Sequence, residues 1–390
     1  MAAVVVPEHA ASPAGATRAL RAAFVMEQTL GHVTHAQNLR GILAERSDVD
    51  ATWIPVPFGV SGIERFVPAY GHNWSVRASY RARRALGRII AQRPQDVLFF
   101  HTQVTALLSV GLMRRVPAIL SLDATPLNFD EVGAAYEHQP AGDGWVDARK
   151  HQLNRAAFGA ARAIVAWSEW AAASLVRDYA VPRERIVVNA PGAAQRYFAI
   201  GEARPQAVAA VSPVRLLFVG GDLARKGGFQ LLEAVRAART LRAFELHLVT
   251  RDAVPATPGV IVHRGLGPNS PELLDLFRTA DAFVLPSLGE CFGIALMEAA
   301  AAGLPIVATG VGAMREAAVD GRSAIVVSVA DVRSLRQAIE RLVDDEALRG
   351  RLGRAGHALA RAKFDADRNN RVILDLLASV ARPTAWSSVA

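Results

Sequence analysis

Short apolar runs of strand length alternate with longer segments of helical periodicity along the whole chain, and this alternation constrains the fold more than any other feature. The first series comprises "AAFVME" (22–27), "DATWIPVPF" (50–58), "DVLFFHT" (96–102), "PAILSLD" (117–123), "RAIVAWS" (162–168) and "RIVVNAPG" (185–192). The second comprises "VRLLFVG" (214–220), "FELHLVT" (244–250), "GVIVHRG" (259–265), "AFVLPS" (282–287), "PIVATG" (305–310) and "SAIVVS" (323–328), with helices closing the chain from 331 to 382. Short runs that are apolar throughout suit strands buried on both faces. Strands separated by helices pair through crossovers, so the pattern predicts an α/β fold with parallel sheets. Between the two series, "FAIGEARPQAVAAVSP" (198–213) loses periodicity and gathers Pro, Gly and Ala, as a linker would. Two doubly wound domains are expected, with ligands at the carboxyl ends of the strands and in the cleft between the domains. The expected bounds are 1–205 (1–19 a loose tail), 206–368, and a C-terminal helix and tail at 369–390.

A length of 390 residues agrees with two domains. No apolar run reaches 18 residues, so no spanning helix is expected. The stretch "MAAVVVPEHAASPAGATRAL" lacks the basic start and long apolar core of a signal peptide. Cys291 is the sole cysteine, which excludes an internal disulfide and a Cys-cluster metal site. A cytoplasmic protein is the expectation, with a peripheral contact at the inner membrane face as an open alternative. The formal net charge is +8 and implies an anionic partner. Arginine supplies nearly all the cations. Lys150, Lys226 and Lys363 are the only lysines, which singles out Lys226.

Two stretches carry chemistry. In "SLGECFGIALMEAA" (287–300), an apolar strand delivers the chain to a helix beginning near Phe292–Gly293. The first N–H groups of a helix are unpaired and partially positive, a ready phosphate site, and Gly293 admits a ligand close to the backbone. Glu290 lies before that helix, at the rim, and Glu298 lies on it. Carboxylates repel phosphate but accept hydroxyl hydrogen bonds, so the pair could hold two polyols flanking a diphosphate. The alternative is a first-turn glutamate and an ordinary surface one. In "FVGGDLARKGGFQLLEAV" (218–235), Gly220 and Gly221 end a strand, Arg225 and Lys226 follow, and Gly227–Gly228 open a helix. Two cations among glycines suit a diphosphate and its developing charge. The alternative is a pair of solvated loop cations.

Taken together, "PSLGECFGIALMEAAAAGLPIVAT" (286–309) and the "GGDLARKGG" loop resemble the retaining glycosyltransferases of the family 4 type, group 1, with the GT-B fold. "VGAMREAAVDG" (311–321), "NAPGAAQRYF" (189–198) and "VAWSEWAAASLVRDYAVPRERI" (165–186) extend the resemblance over most of the chain. It implies two Rossmann-like domains facing a cleft and a C-terminal helix crossing back to the first. It implies a nucleotide diphosphate sugar as donor, no other cofactor, and catalysis without a metal. The acceptor would be a glycan, a lipid-linked sugar or a small molecule. It places Glu298 on the ribose hydroxyls and Glu290 near the donor sugar. Cys291, Phe292, Gly293 and Ile294 would lie along sugar and phosphate, Arg225 and Lys226 at the diphosphate, and Gly31 facing the donor phosphate. Arg251 borders the loops that would set base selectivity.

Two departures stand out. The arginine usual after the strand glycine is Gly221 here, with Arg225 a candidate replacement. The histidine that many relatives carry after the strand "AILSL" is Asp123 here, a candidate catalytic residue whose alternative is an Asx-turn or cap. His32, His35 and His101 are candidates for the acceptor side, each set against a packed or capping role. No metal-ligand spacing and no full GxGxxG are present. The basic segment "WSVRASYRARRALGRIIAQR" (74–93) reads as a surface helix packed on its own domain, or as one lying on anionic lipid. No nucleic-acid partner is expected. The departures leave a second reading open, a non-catalytic nucleotide-sugar-binding partner protein. An epimerase or phosphorylase of the same fold is a third.

Overall fold

The computed structural model describes residues 18–29, 31–59, 73–138, 140, 142, 144–204 and 213–382. The tail expected at 1–19 and the linker core at 205–212 therefore lie largely outside the described residues. The first sheet contains β1 (Leu20–Gln28), β2 (Val49–Pro57), β3 (Val97–His101), β4 (Ala118–Leu122), β5 (Ala163–Ala166) and β6 (Ile186–Val188). The second contains β7 (Val214–Val219), β8 (Phe244–Val249), β9 (Val260–His263), β10 (Ala282–Leu285), β11 (Ile306–Thr309) and β12 (Ala324–Val327). The strand orders are β2-β1-β3-β4-β5-β6 and β12-β11-β10-β7-β8-β9, with parallel pairing throughout. This is the doubly wound architecture that the alternation predicts.

The strand order decides where ligands can sit. In the second sheet the winding reverses between β7 and β10, which are hydrogen-bonded neighbours. The loops that leave their carboxyl ends diverge and open a crevice. Those loops are the two chemistry-bearing stretches, so segments 64 residues apart in sequence meet there. In the first sheet the reversal falls between β1 and β3.

The central strands are apolar on both faces because helices cover both. From β1, Ala22, Phe24 and Met26 enter one core layer, and Ala23 and Val25 the other. Two helices exchange sides. Helix Gln195–Ala203 buries Tyr197, Phe198 and Ile200 in the core of the second sheet. Helix Ala366–Ala381 buries Ile373, Leu374 and Leu377 against the first. Residues 198–203, expected to be linker, are thus helical, anchored by apolar burial worth roughly 1.5–3 kcal/mol per large side chain. The two crossing segments pair with each other. Ala193 N–H donates to Phe364 C=O (2.7 Å), and Ala366 N–H to Ala193 C=O (3.1 Å).

Helix Trp74–Gln92 buries Arg77, Ala78, Ser79, Ala82 and Leu86 against the first domain. Val76, Tyr80, Arg83, Arg84 and Arg88 are exposed on it. Among the described residues, no helix is long and apolar enough to cross a membrane.

Candidate active site

Three helix N-termini border the region where the sheets' carboxyl ends meet. Helix Ile294–Ala301 starts at Gly293, whose φ of 83° is left-handed, and no side chain caps it. Helix Gly228–Ala237 starts at Gly227, also left-handed and uncapped. Helix His32–Ala44 starts at Gly31, likewise without a side-chain cap. None carries an acidic residue in its first turn, so their partial positive charge is not offset locally. A Cβ on Gly31 would lie 3.0 Å from Ile294 Cδ1, so the first and second domains touch at this point.

The cations and carboxylates of the two loops form one cluster. Lys226 Nζ is ion-paired with Glu290 Oε2, and Arg225 Nη1 lies 3.7 Å from the same oxygen. Arg225 donates to Gly289 C=O (3.1 Å), to the Tyr136 hydroxyl (3.2 Å) and to Asp222 Oδ2 (3.2 Å), and it lies over the Tyr136 ring. Leu288 N–H donates to Arg225 C=O (2.8 Å), tying one loop to the other. Arg225 and Lys226 are therefore not solvated loop cations. Burial and the neighbouring Arg225 pull Lys226 below the usual lysine range, while its Glu290 partner favours the charged form. Glu290 is buried rather than at the rim as expected, because the loop at 310–313 crosses over it. Gly312, at φ 53°, makes that crossing: a Cβ there would stand 2.1 Å from Glu290 C=O.

Glu298 is also buried, not an ordinary surface glutamate. Burial raises it to about 8. The Tyr197 hydroxyl faces it without reaching hydrogen-bond geometry. Cys291 is buried, its thiol pushed well up by desolvation, and it packs with Ala124 and Val132 of the first domain. Phe292 meets Trp167 edge-on. Gly220 and Gly221 follow β7. The Arg251 guanidinium stands over Gly221, its Nε 3.1 Å from where a Cβ would be. The space of the missing side chain is thus taken by Arg251. Arg225, the expected replacement, is turned inward.

In the first domain, His32 Nε2 lies 3.3 Å from Asp123 Oδ2, so two separately chosen candidates are in contact. The other two histidines need correction as acceptor-side groups. His35 and His101 are 1% and 0% exposed, so neither reaches an acceptor. They pack behind His32 around Trp167, with His101 stacked on its ring. Burial lowers His35 to about 3 and His101 well below the usual imidazole range, so both are neutral.

Several contributing residues were not singled out from sequence. Glu27, one residue before the end of β1, lies beneath His32. Tyr136 receives Arg225 from across the seam. Glu316 accepts from Glu169 N–H (3.0 Å) and Trp170 N–H (2.9 Å), capping a helix of the opposite domain. Only Glu27 left a signal, as a lone acid closing an otherwise apolar run. Among the described residues, no group of three or more His, Cys, Asp or Glu side chains could hold a metal ion.

Comparison with known proteins identifies the family and the fold. Residues 31–193 match the family "Glycosyltransferase Family 4", and residues 213–345 match "Glycosyl transferases group 1". A D-inositol 3-phosphate glycosyltransferase from Arthrobacter sp. (strain FB24) is 32% identical over 222 residues, 52% of this chain and 52% of that one. The chain spans about half the length of the curated relatives it matches. Sucrose-phosphate synthase from Thermosynechococcus elongatus superposes with a TM-score of 0.69 at 17% identity, covering 93% of this chain and 99% of that one. Anabaena Alr3699/HepE, solved with UDP and glucose, superposes with a TM-score of 0.62 at 13% identity, covering 92% and 100%. At such identities the structural likeness speaks for the fold.

Proposed function

The chain belongs to the glycosyltransferases of the family 4, group 1 type, and we propose that it moves a sugar from a nucleotide diphosphate sugar to an acceptor hydroxyl with retained anomeric configuration. The observation that carries this reading is the clustering of Arg225, Lys226 and Glu290 beside the uncapped helix at Gly293–Ile294, with Glu298 on that helix.

The diphosphate lies between the N-termini at Gly31 and Ile294, where backbone N–H groups and Lys226 balance its charge. Lys226 exchanges Glu290 for phosphate oxygens, which frees Glu290 to accept from hydroxyls of the donor sugar. Glu298 accepts from the ribose hydroxyls. Arg251, exposed beside Gly221, adds positive charge at the outer end. Arg225 fixes the loop and the approach of the two domains through Tyr136, so closure and charge placement are coupled. No protein side chain serves as nucleophile. The acceptor oxygen bonds to the anomeric carbon as the carbon–diphosphate bond breaks on the same face, and the departing diphosphate takes the hydroxyl proton.

The acceptor is a glycan, a lipid-linked sugar or a small molecule. On helix Trp74–Gln92 the exposed Val76 and Tyr80, with Arg83, Arg84 and Arg88, suit a peripheral contact with an anionic membrane. The comparisons lend no support to the non-catalytic alternative.

Calorimetric binding of UDP, GDP, ADP and dTDP, without added metal, tests the donor site in wild type and Glu298→Ala. One nucleotide that binds and is lost in the variant supports the reading. Binding by none of them sinks it.

A further inference from the structure

The site holds a charged group that the diphosphate chemistry does not use. Asp123 follows β4 at the seam between the domains, where the adjoining Ala124 packs with Cys291. Its side chain is 19% exposed, and one oxygen, Oδ2, meets His32 Nε2 at 3.3 Å. His32 is its one side-chain hydrogen-bond partner among the described residues, so the second carboxylate oxygen remains for a ligand.

The other face of the imidazole is also engaged. Nδ1 lies 3.3 Å from Thr29 Oγ1 and 3.7 Å from Glu27 Oε2. Glu27 itself accepts from Thr29 Oγ1 (2.9 Å), Trp74 Nε1 (3.0 Å) and Thr102 Oγ1. Its acceptor capacity is spent on the protein, so it serves to hold His32. The His101 and Trp167 rings stand edge-on to the His32 ring, at 4.6 and 5.6 Å between centroids, and restrict its rotation. The charged or titratable groups facing His32 are therefore Glu27, Asp123, His35 and His101. The two histidines are neutral, and the two carboxylates outweigh burial and raise His32. The result is a carboxylate–imidazole–carboxylate row whose outermost member alone is offered to the cleft.

Resting on the glycosyltransferase reading, we propose that Asp123, ion-paired to His32 and backed by Glu27, hydrogen-bonds and orients the reacting hydroxyl of the acceptor. His32 is the positioning residue. The row presents acceptors and no free donor, so it selects a hydroxyl and disfavours a phosphate at that point. It moves no proton out of the transfer itself.

Two measurements on the full chain test this. The first is an NMR titration of the imidazole signals without ligand, with His32 identified by the signal lost in His32→Gln. His32 should titrate above 6.5 in wild type and at least one pH unit lower in Asp123→Asn. An unchanged midpoint overturns the pair. The second is release of nucleoside diphosphate from UDP-glucose and GDP-mannose, with glycerol and free inositol as hydroxyl acceptors. Asp123→Asn and His32→Gln should each lower turnover about 100-fold, with the double variant no worse than either and nucleoside diphosphate affinity retained. At saturating donor, wild-type turnover should fall as pH rises through the His32 midpoint, and this fall should be reduced in His32→Gln and retained in Lys226→Met. Unchanged turnover in Asp123→Asn, or additive losses, overturn the acceptor role. If nucleotide binds but wild type turns over neither donor, the proposed function and the acceptor role fall together, and the imidazole titration still decides the pair.

Discussion

Replacing Glu298 by glutamine should make the protein more stable, and increasingly so as the pH rises. Glu298 is buried, and burial raises it from 4.5 to about 8. A group whose folded value exceeds its unfolded value binds more protons in the native state between those two points. Stability is therefore full below pH 4.5, falls across the window and levels off above about 8. At about 1.36 kcal/mol per pH unit, the loss is about 2 kcal/mol at pH 6 and about 4 kcal/mol at pH 8. Glutamine keeps the shape without the ionisation. Melting curves of wild type and Glu298→Gln from pH 5 to pH 9 should differ least at the acid end, by about 1 kcal/mol or less. They should then separate by about 2 kcal/mol between pH 6 and pH 8, or roughly 4–8 °C in a unit of this size. A bound nucleoside diphosphate should narrow the gap, because ribose hydroxyls donating to the carboxylate favour its charged form. A melting difference that is independent of pH would refute the buried-carboxylate argument. A gap that ignores nucleotide would refute the ribose role.

The remaining expectations concern charge and closure. Lys226→Met should weaken nucleoside diphosphate binding about 10- to 100-fold and leave binding of the bare nucleoside unchanged; equal losses for both would remove Lys226 from the diphosphate. Because burial and Arg225 pull Lys226 below the usual lysine range, wild-type diphosphate affinity should decline as the pH rises through its midpoint, with a flatter calorimetric profile in Lys226→Met. Glu316→Ala removes the acceptor of the Glu169 and Trp170 N–H groups across the seam, leaving helix Glu169–Tyr179 with its Ser168 cap alone. It should lower stability by about 0.5–2 kcal/mol and enlarge the unliganded particle in small-angle scattering; an unchanged scattering profile would deny this contact any part in closure. Gly312→Ala meets both the positive φ and the Glu290 carbonyl, so it should destabilise by more than about 1 kcal/mol, visible as an earlier denaturant midpoint.

The strands were legible because burial on both faces leaves a mark in each run: every run read as a strand from "AAFVME" to "SAIVVS" contains one. The helix boundary at Gly293 was legible for the same reason, since a left-handed glycine punctuates the chain. Residues 198–203 misread as linker because helix Gln195–Ala203 has only three large apolar anchors, and its partner surface lies on residues far along the chain. The site divides along the same line. Lys226, Glu290 and Glu298 stood out because strand-to-helix loops name their own contents. The burial of Glu290 depends on a loop twenty residues further on. The pairing of His32 with Asp123 spans 91 residues, and the contacts of Tyr136 with Arg225 and of Glu316 with Glu169 and Trp170 cross between domains. No local period encodes such contacts. His35, on a helix, and His101, at a strand end, misled because a histidine reads alike whether it faces a cleft or packs against Trp167.

The exchange of helices carries a consequence for synthesis. One face of the first sheet, bearing Phe24, Phe99, Ile119 and Val165, is covered by Ile373, Leu374 and Leu377. The ribosome makes that sheet first and its cover last. Until Ala381 has left the exit tunnel, the nascent chain shows an apolar strip that only its own distant segment fits. The second sheet, with its strands and most of its helices already made, can close around helix Gln195–Ala203 meanwhile. The earlier-made domain is thus the later one to be finished, and the wait is when a holdase or a stray apolar partner would find it.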